Sequence, residues 1–275
     1  MNSTISPKIE NNLNLLKLSH YLYINPNYHN VMLISFFEEY PTKSNLEKLE
    51  LIKFQAKLYI ASSSLDKFSE IREKIKSKNI KEIIYWPILK KEEGYWYSPF
   101  SKRSAMIRTL KEIPDNLPVM IDLELPTTQN SNLYFTQLHN FPRNKLLISK
   151  FIKHHKNVYT AEYFPIKSWM KFLGLNYNPL KYNSKMIKMF YTSMWPFPRN
   201  FLKNEIKGYN KKYKERFIPA FGTIATGVSG SEPILSPEKL EADLEIAEQN
   251  NIKEVIIFRL GGLNKNYIRA ISKFI

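Results

Sequence analysis

Two carboxylates two residues apart, Asp122 and Glu124, close the apolar run Val119-Met120-Ile121-Asp122-Leu123-Glu124-Leu125, which stops at Pro126. Side chains alternate between the faces of a strand, so the two acids share one face while Ile121, Leu123 and Leu125 share the other. Acids on one side of a buried strand are costly unless water, a partner or a substrate meets them. Like-charge repulsion would also hold a proton on one of them near neutral pH, as a general acid requires. The alternative is a strand end whose acids form ion pairs with nearby lysines.

The elements that must position this pair alternate along the chain. Short β-branched or aromatic runs predict eight strands: Val31 to Phe37, Lys57 to Ala61, Glu82 to Trp86, Pro118 to Glu124, Asn157 to Glu162, Ile187 to Ser193, Phe217 to Gly222 and Glu254 to Arg259. Helical patterns follow them at Ser44 to Phe54, Leu65 to Ser77, Lys102 to Ile113, about Asn132 to His155, Ile166 to Leu173, Asn200 to Tyr213, Pro237 to Gln249 and Lys265 to Phe274. Ser64, Ser101 and Ser236 precede helix starts as caps. Eight alternations with near-continuous apolar strands predict the α/β class and a single (β/α)8 barrel of the TIM type. An open doubly wound sheet would show a glycine-rich turn after its first strand, and the stretch Ser35 to Pro41 has no glycine. Residues 29–275 are assigned to the barrel, and the polar residues 1–28 to an N-terminal extension that caps its bottom or is partly disordered.

In a parallel barrel, chemistry collects where strands end. Those positions hold Glu38 and Glu39, Trp86, the loop Gly94-Tyr95-Trp96-Tyr97, Asp122 and Glu124, Glu162 and Tyr163, Tyr191 and Trp195, Glu232 in the glycine-containing loop after the seventh strand, and Arg259. Acids beside flat aromatics suit a sugar, whose CH faces stack on rings while its hydroxyls take hydrogen bonds. Trp86, Tyr95, Trp96, Glu162, Tyr191, Trp195 and Arg259 are the expected substrate contacts. Trp169 is expected to pack its helix, and Gly227 and Gly230 to give their loop its turn.

Composition narrows the field. The 275 residues contain no cysteine, which excludes disulfides, thiolate nucleophiles and cysteine-bound metals. His20, His29, His139, His154 and His155 avoid the proposed strand ends, which disfavours a histidine metal site, and no cofactor is expected. His154-His155 reads as a solvated helix end. The net charge of +16 comes mostly from lysines in mixed-sign helical patterns, with only eight arginines, which argues for a solvated surface over a specific nucleic-acid footprint. No leader-like N-terminus and no transmembrane stretch is evident, so the expectation is a cytoplasmic protein without membrane association. Oligomeric state is not legible.

Met120-Ile121-Asp122-Leu123-Glu124 resembles the end of the chitinase-like Asp-x-Glu motif on strand four of the glycoside hydrolase superfamily of barrels. The resemblance implies Glu124 as general acid, Asp122 as the residue that orients it, and Tyr191 as the tyrosine that holds an acetamido group. The further aspartates that precede this pair in chitinases are replaced by Met120 and Pro118. Trp86-Pro87, Glu93 to Trp96, Asp122 to Pro126, Gly230 to Pro233 and Phe258 to Gly262 also resemble uncharacterised glycoside-hydrolase-like barrel proteins. The implied function is carboxylate acid/base cleavage of an oligosaccharide or polysaccharide at the barrel mouth. The second carboxylate stays open among Glu232, Glu162 and Asp122. The alternative function is a non-catalytic glycan-binding barrel that uses the aromatic cleft.

Overall fold

The computed structural model describes residues 32–127 and 129–275. Eight strands, β1 (Leu33–Glu38), β2 (Ala56–Ser62), β3 (Ile80–Pro87), β4 (Val119–Leu123), β5 (Val158–Tyr163), β6 (Lys185–Phe190), β7 (Phe217–Gly222) and β8 (Glu254–Phe258), pair in chain order. All are parallel, and β8 closes the ring against β1. The fold is therefore a (β/α)8 barrel, within the unit Met32–Ile275. The expected extension 1–28, with His20, and His29 lie outside the described residues. No helix among the described residues is long and apolar enough to cross a membrane.

Alternation along each strand sorts the core into two layers. Met120 joins Phe37, Tyr59, Ile84, Trp86, Ile187, Ile256 and Phe258 inside the barrel. Val119, Ile121 and Leu123 pack outward against the helices. Asp122 and Glu124, in step with Met120, thus belong to the interior face.

Acids in the lower barrel are matched with bases. Glu254 accepts from Ser35 Oγ at 2.9 Å and from Lys57 Nζ at 2.9 Å, and Lys57 also lies 3.5 Å from Glu82. Lys185 stands 5.1 Å from the centre of the Tyr159 ring. This plug shows how the chain treats interior charge that serves only the fold.

Several local expectations are revised. Ser64 and Ser236 cap the helices Leu65–Lys74 and Pro237–Gln249 as expected. Ser101 does not cap. Its hydroxyl donates to the Trp96 carbonyl at 2.7 Å and accepts from the Ser98 amide, while Lys102 begins the helix Arg103–Glu112. The single helix expected over 132–155 divides into Leu133–Thr136 and Phe141–His154, because Pro142 has no N–H to extend a preceding helix but is harmless in a first turn. His155 is not solvated: it is buried, with Nε2 3.0 Å from the Pro114 carbonyl. Trp169, expected to pack, is exposed on the helix Ser168–Phe172. The sixth strand stops at Phe190, so Tyr191 begins the loop.

Candidate active site

At the C-terminal ends of the strands lies a cavity of about 520 Å³, walled by Phe37, Trp86, Trp96, Tyr163, Tyr191, Trp195 and Phe258 and containing Glu39, Asp122, Glu124 and Glu232. One exposed lysine, Lys167, also touches it. None of the four acids takes part in an ion pair among the described residues, in contrast to the balanced plug below. The lysine-pairing reading of Asp122 and Glu124 is thus not what the folded chain adopts.

Two buried carboxylate oxygens of this cavity, Glu39 Oε2 and Glu232 Oε2, lack a hydrogen-bond partner within the protein, while the Trp86 indole N–H is a hydrogen-bond neighbour of Asp122. Buried polar atoms are ordinarily satisfied, so a concentration of unsatisfied ones marks a place built to meet a ligand or water.

Burial holds both members of the β4 pair above the usual carboxylate range. Asp122 is pushed well up by desolvation and then by the charges of Glu124 and Glu39. Glu124 is pushed up to about 7 by desolvation, with the Tyr163 hydroxyl and the Asp122 carboxyl favouring its ionised form. Two acids so placed share a proton near neutral pH.

Glu39 is 4% exposed and fixed by Tyr95, whose hydroxyl donates to Oε1 at 2.8 Å. Burial raises it to about 7, opposed by the Tyr95 bond and reinforced by the charge of Glu124. Glu232 sits in the loop after β7, where Oε1 accepts the Ser229 amide at 3.0 Å. Gly227 is what lets these two approach. A β-carbon there would stand 3.0 Å from Glu39 Oε2 and 3.1 Å from Glu232 Oε1.

The loop after β3 delivers Trp96 through a well-anchored turn. Gly94 and Tyr95 both take positive φ, 116° and 59°, which reverses the chain. The Tyr97 amide donates to the Asp122 carbonyl at 2.9 Å, tying the loop to the acidic strand. Tyr97 and Phe100 fold inward, Phe100 against Tyr134 and Phe141, while Trp96 faces the cavity. Tyr95 lies behind the wall, edge-on to Trp96, and acts through Glu39.

Of the residues expected at the site, the cavity gathers Asp122, Glu124, Glu232, Trp86, Trp96, Tyr191 and Trp195. Three expected contacts lie elsewhere: Tyr95 behind the wall, and Glu162 and Arg259 away from the cavity. Glu162 points outward, in step with Val158 and Thr160, and is saturated by Thr160, the Tyr177 amide and Lys188. Arg259 is occupied by Glu38 at 3.0 Å and the Thr226 carbonyl at 2.9 Å, with its guanidinium stacked on Tyr40. None of the three is retained as a substrate contact. Glu39 and Tyr163 were missed as site residues. With Phe37 and Ala161 placed inside the barrel by the structure, alternation puts both on the interior face.

No family model and no curated sequence matches this chain. Among solved structures, the spore cortex-lytic enzyme SleL of Bacillus megaterium QM B1551 aligns over 91% of this chain and 75% of its own, with 10% identity and a TM-score of 0.53. That likeness concerns the fold. An NADH-dependent reductase (10% identity, 85% and 97% coverage) and the citronellol catabolism dehydrogenase AtuB of Pseudomonas aeruginosa PAO1 (10%, 87% and 98%) give TM-scores of only 0.28 and 0.27.

Proposed function

We propose that the protein hydrolyses a glycan at the barrel mouth, with Glu124 as general acid and Asp122 as the group that shares and steers its proton. The observation that carries this reading is the uncompensated, proton-sharing pair set in an aromatic-walled cavity. A protonated Glu124 gives its proton to the glycosidic oxygen as the bond to the anomeric carbon breaks, so the leaving group departs as an alcohol. Water adds its oxygen to that carbon, and its proton passes to a second carboxylate. Glu232, whose Oε2 has no partner within the protein, is assigned that role. Trp86, Trp96, Tyr191 and Trp195 supply faces for sugar stacking.

A barrel that only binds glycans would share the aromatic wall but gain nothing from a pair of acids that costs stability. The test is release of reducing ends from a panel of glycans, with a spore-cortex preparation among them because of the likeness to a cortex-lytic enzyme. Wild type should turn over at least one member, and Glu124→Gln should lose about a hundred- to ten-thousand-fold in rate while still binding it. Binding without turnover by wild type would leave the binding barrel as the better account.

A further inference from the structure

The acids at the mouth outnumber what one cleavage reaction requires, and Glu39 has no part in the scheme above. It is nevertheless buried, held by Tyr95, and left with Oε2 unpartnered in the cavity wall. The same oxygen and Glu232 Oε1 both lie close to the Gly227 backbone, within 3.0 and 3.1 Å of where a β-carbon would stand, and Glu39, Gly227, Glu232 and Phe258 all line the cavity. Glu39 Oε2 and Glu232 Oε2 have no donor within the protein, and Glu232 Oε1 has only the Ser229 amide, so acceptors outnumber donors at this end of the cavity.

The geometry points to a subsite for the protonated primary amine of an amino sugar, seated between Glu39 Oε2 and Glu232 Oε1 beside Gly227. This rests on the glycan reading above and names the class of glycan: one carrying free amino groups. Glu232 Oε2 stays available for water. A sugar hydroxyl could satisfy one oxygen but would not offset the mutual repulsion of the carboxylates. An ammonium brings three N–H donors and a positive charge. Aromatic walls add to the preference for a cation. An N-acetylated sugar offers a single N–H, and its carbonyl would face acceptors.

Other charges do not cancel this preference. Arg259, the nearest guanidinium to Glu39, is engaged with Glu38 and the Thr226 carbonyl, and Lys167 is exposed. The chain's net charge of +16 resides largely on surface lysines, screened at physiological salt over roughly 8 Å. A divalent cation is a poorer occupant, since no group of three or more His, Cys, Asp or Glu among the described residues is placed to hold a metal.

The test is calorimetric binding to Glu124→Gln protein of glucosamine and galactosamine oligomers, each against its N-acetylated and its N,N,N-trimethylated counterpart. Free-amine oligomers should bind about ten-fold or more tighter than acetylated ones. Trimethylation, which keeps the charge but removes the N–H donors, should abolish most of that advantage. Glu39→Gln in the same background should weaken free-amine binding and bring free-amine and acetylated oligomers to parity. The trimethyl comparison holds even if that double variant fails to fold. Equal or tighter binding of acetylated oligomers would overturn the amine subsite and leave the hydrolase reading standing. Binding of Ca²⁺ or Mg²⁺ with no binding of any oligomer would overturn both.

Discussion

Lys188 Nζ lies 2.6 Å from Glu162 Oε2, and neither side chain is exposed. Both point out of the barrel wall toward the helices, where Lys188 also stands 5.7 Å from the centre of the Tyr209 ring. Removing one member of such a pair strands the other as a buried charge, at a cost of about 3–5 kcal/mol. Glu162→Ala is therefore expected to lower stability by that amount in urea unfolding, with unchanged glycan affinity in the fraction that remains folded. Weaker binding at undiminished stability would return Glu162 to the site.

Glu39 and Glu124 titrate near 7 in the folded protein, against 4.5 for an ordinary glutamate. Between those values the folded state keeps protons that the unfolded chain has released, so the stability these groups contribute is complete below about 4.5 and lost as pH rises through about 7. Replacing Glu124 by Gln removes the desolvated charge. The variant should match wild type in acid and be the more stable by about 3 kcal/mol at alkaline pH. Thermal melts across pH would show it, and a destabilised variant at high pH would contradict it. The hydrolytic rate should fall as pH rises through about 7, where the acid loses its proton.

Much of this was legible from residues alone. The eight strand–helix alternations could be counted because each strand is an almost unbroken apolar run. The same continuity hid which side of a strand faces inward. On β4 the acids interrupt the run, so the alternation shows and Asp122 and Glu124 fall on one face. On β1, Phe36 and Phe37 are both apolar and Glu38 and Glu39 both acidic, so nothing local separates the structural Glu38, bound to Arg259 and the Gly261 amide, from the cavity's Glu39. On β5 the readable acid, Glu162, faced outward and Tyr163 faced in. Gly227 looked like a turn residue because its neighbours in space, Glu39 and Phe258, are distant in sequence.

Trp96 presents its ring to the cavity while the rest of its loop is braced. Trp96→Ala is expected to weaken glycan binding by about 0.5–1.5 kcal/mol and to remove most of the ligand-induced fluorescence quenching. Unchanged quenching in the variant would take Trp96 out of the binding surface.

Gly227→Ala places a methyl group against Glu39 Oε2, Phe258 and Glu232 Oε1 at contacts of 3.0 to 3.1 Å. The neighbours must move, at a cost of about 1–3 kcal/mol. Free-amine oligomers should bind more weakly, with little change for N-acetylated ones. A uniform loss across both would mean that the glycine serves the loop and not the subsite.

In the proposed reaction Glu124 protonates the departing oxygen. A leaving group that departs readily as an anion needs no such proton, whereas a sugar alcohol does. The decisive measurement compares kcat/KM of wild type and Glu124→Gln on two substrates of the same glycone, one with its natural sugar leaving group and one with a dinitrophenyl group. The predicted result is a loss of about a hundred- to ten-thousand-fold on the natural bond with little loss on the aryl glycoside. Equal losses on both substrates, or none on either, would contradict the role assigned to Glu124.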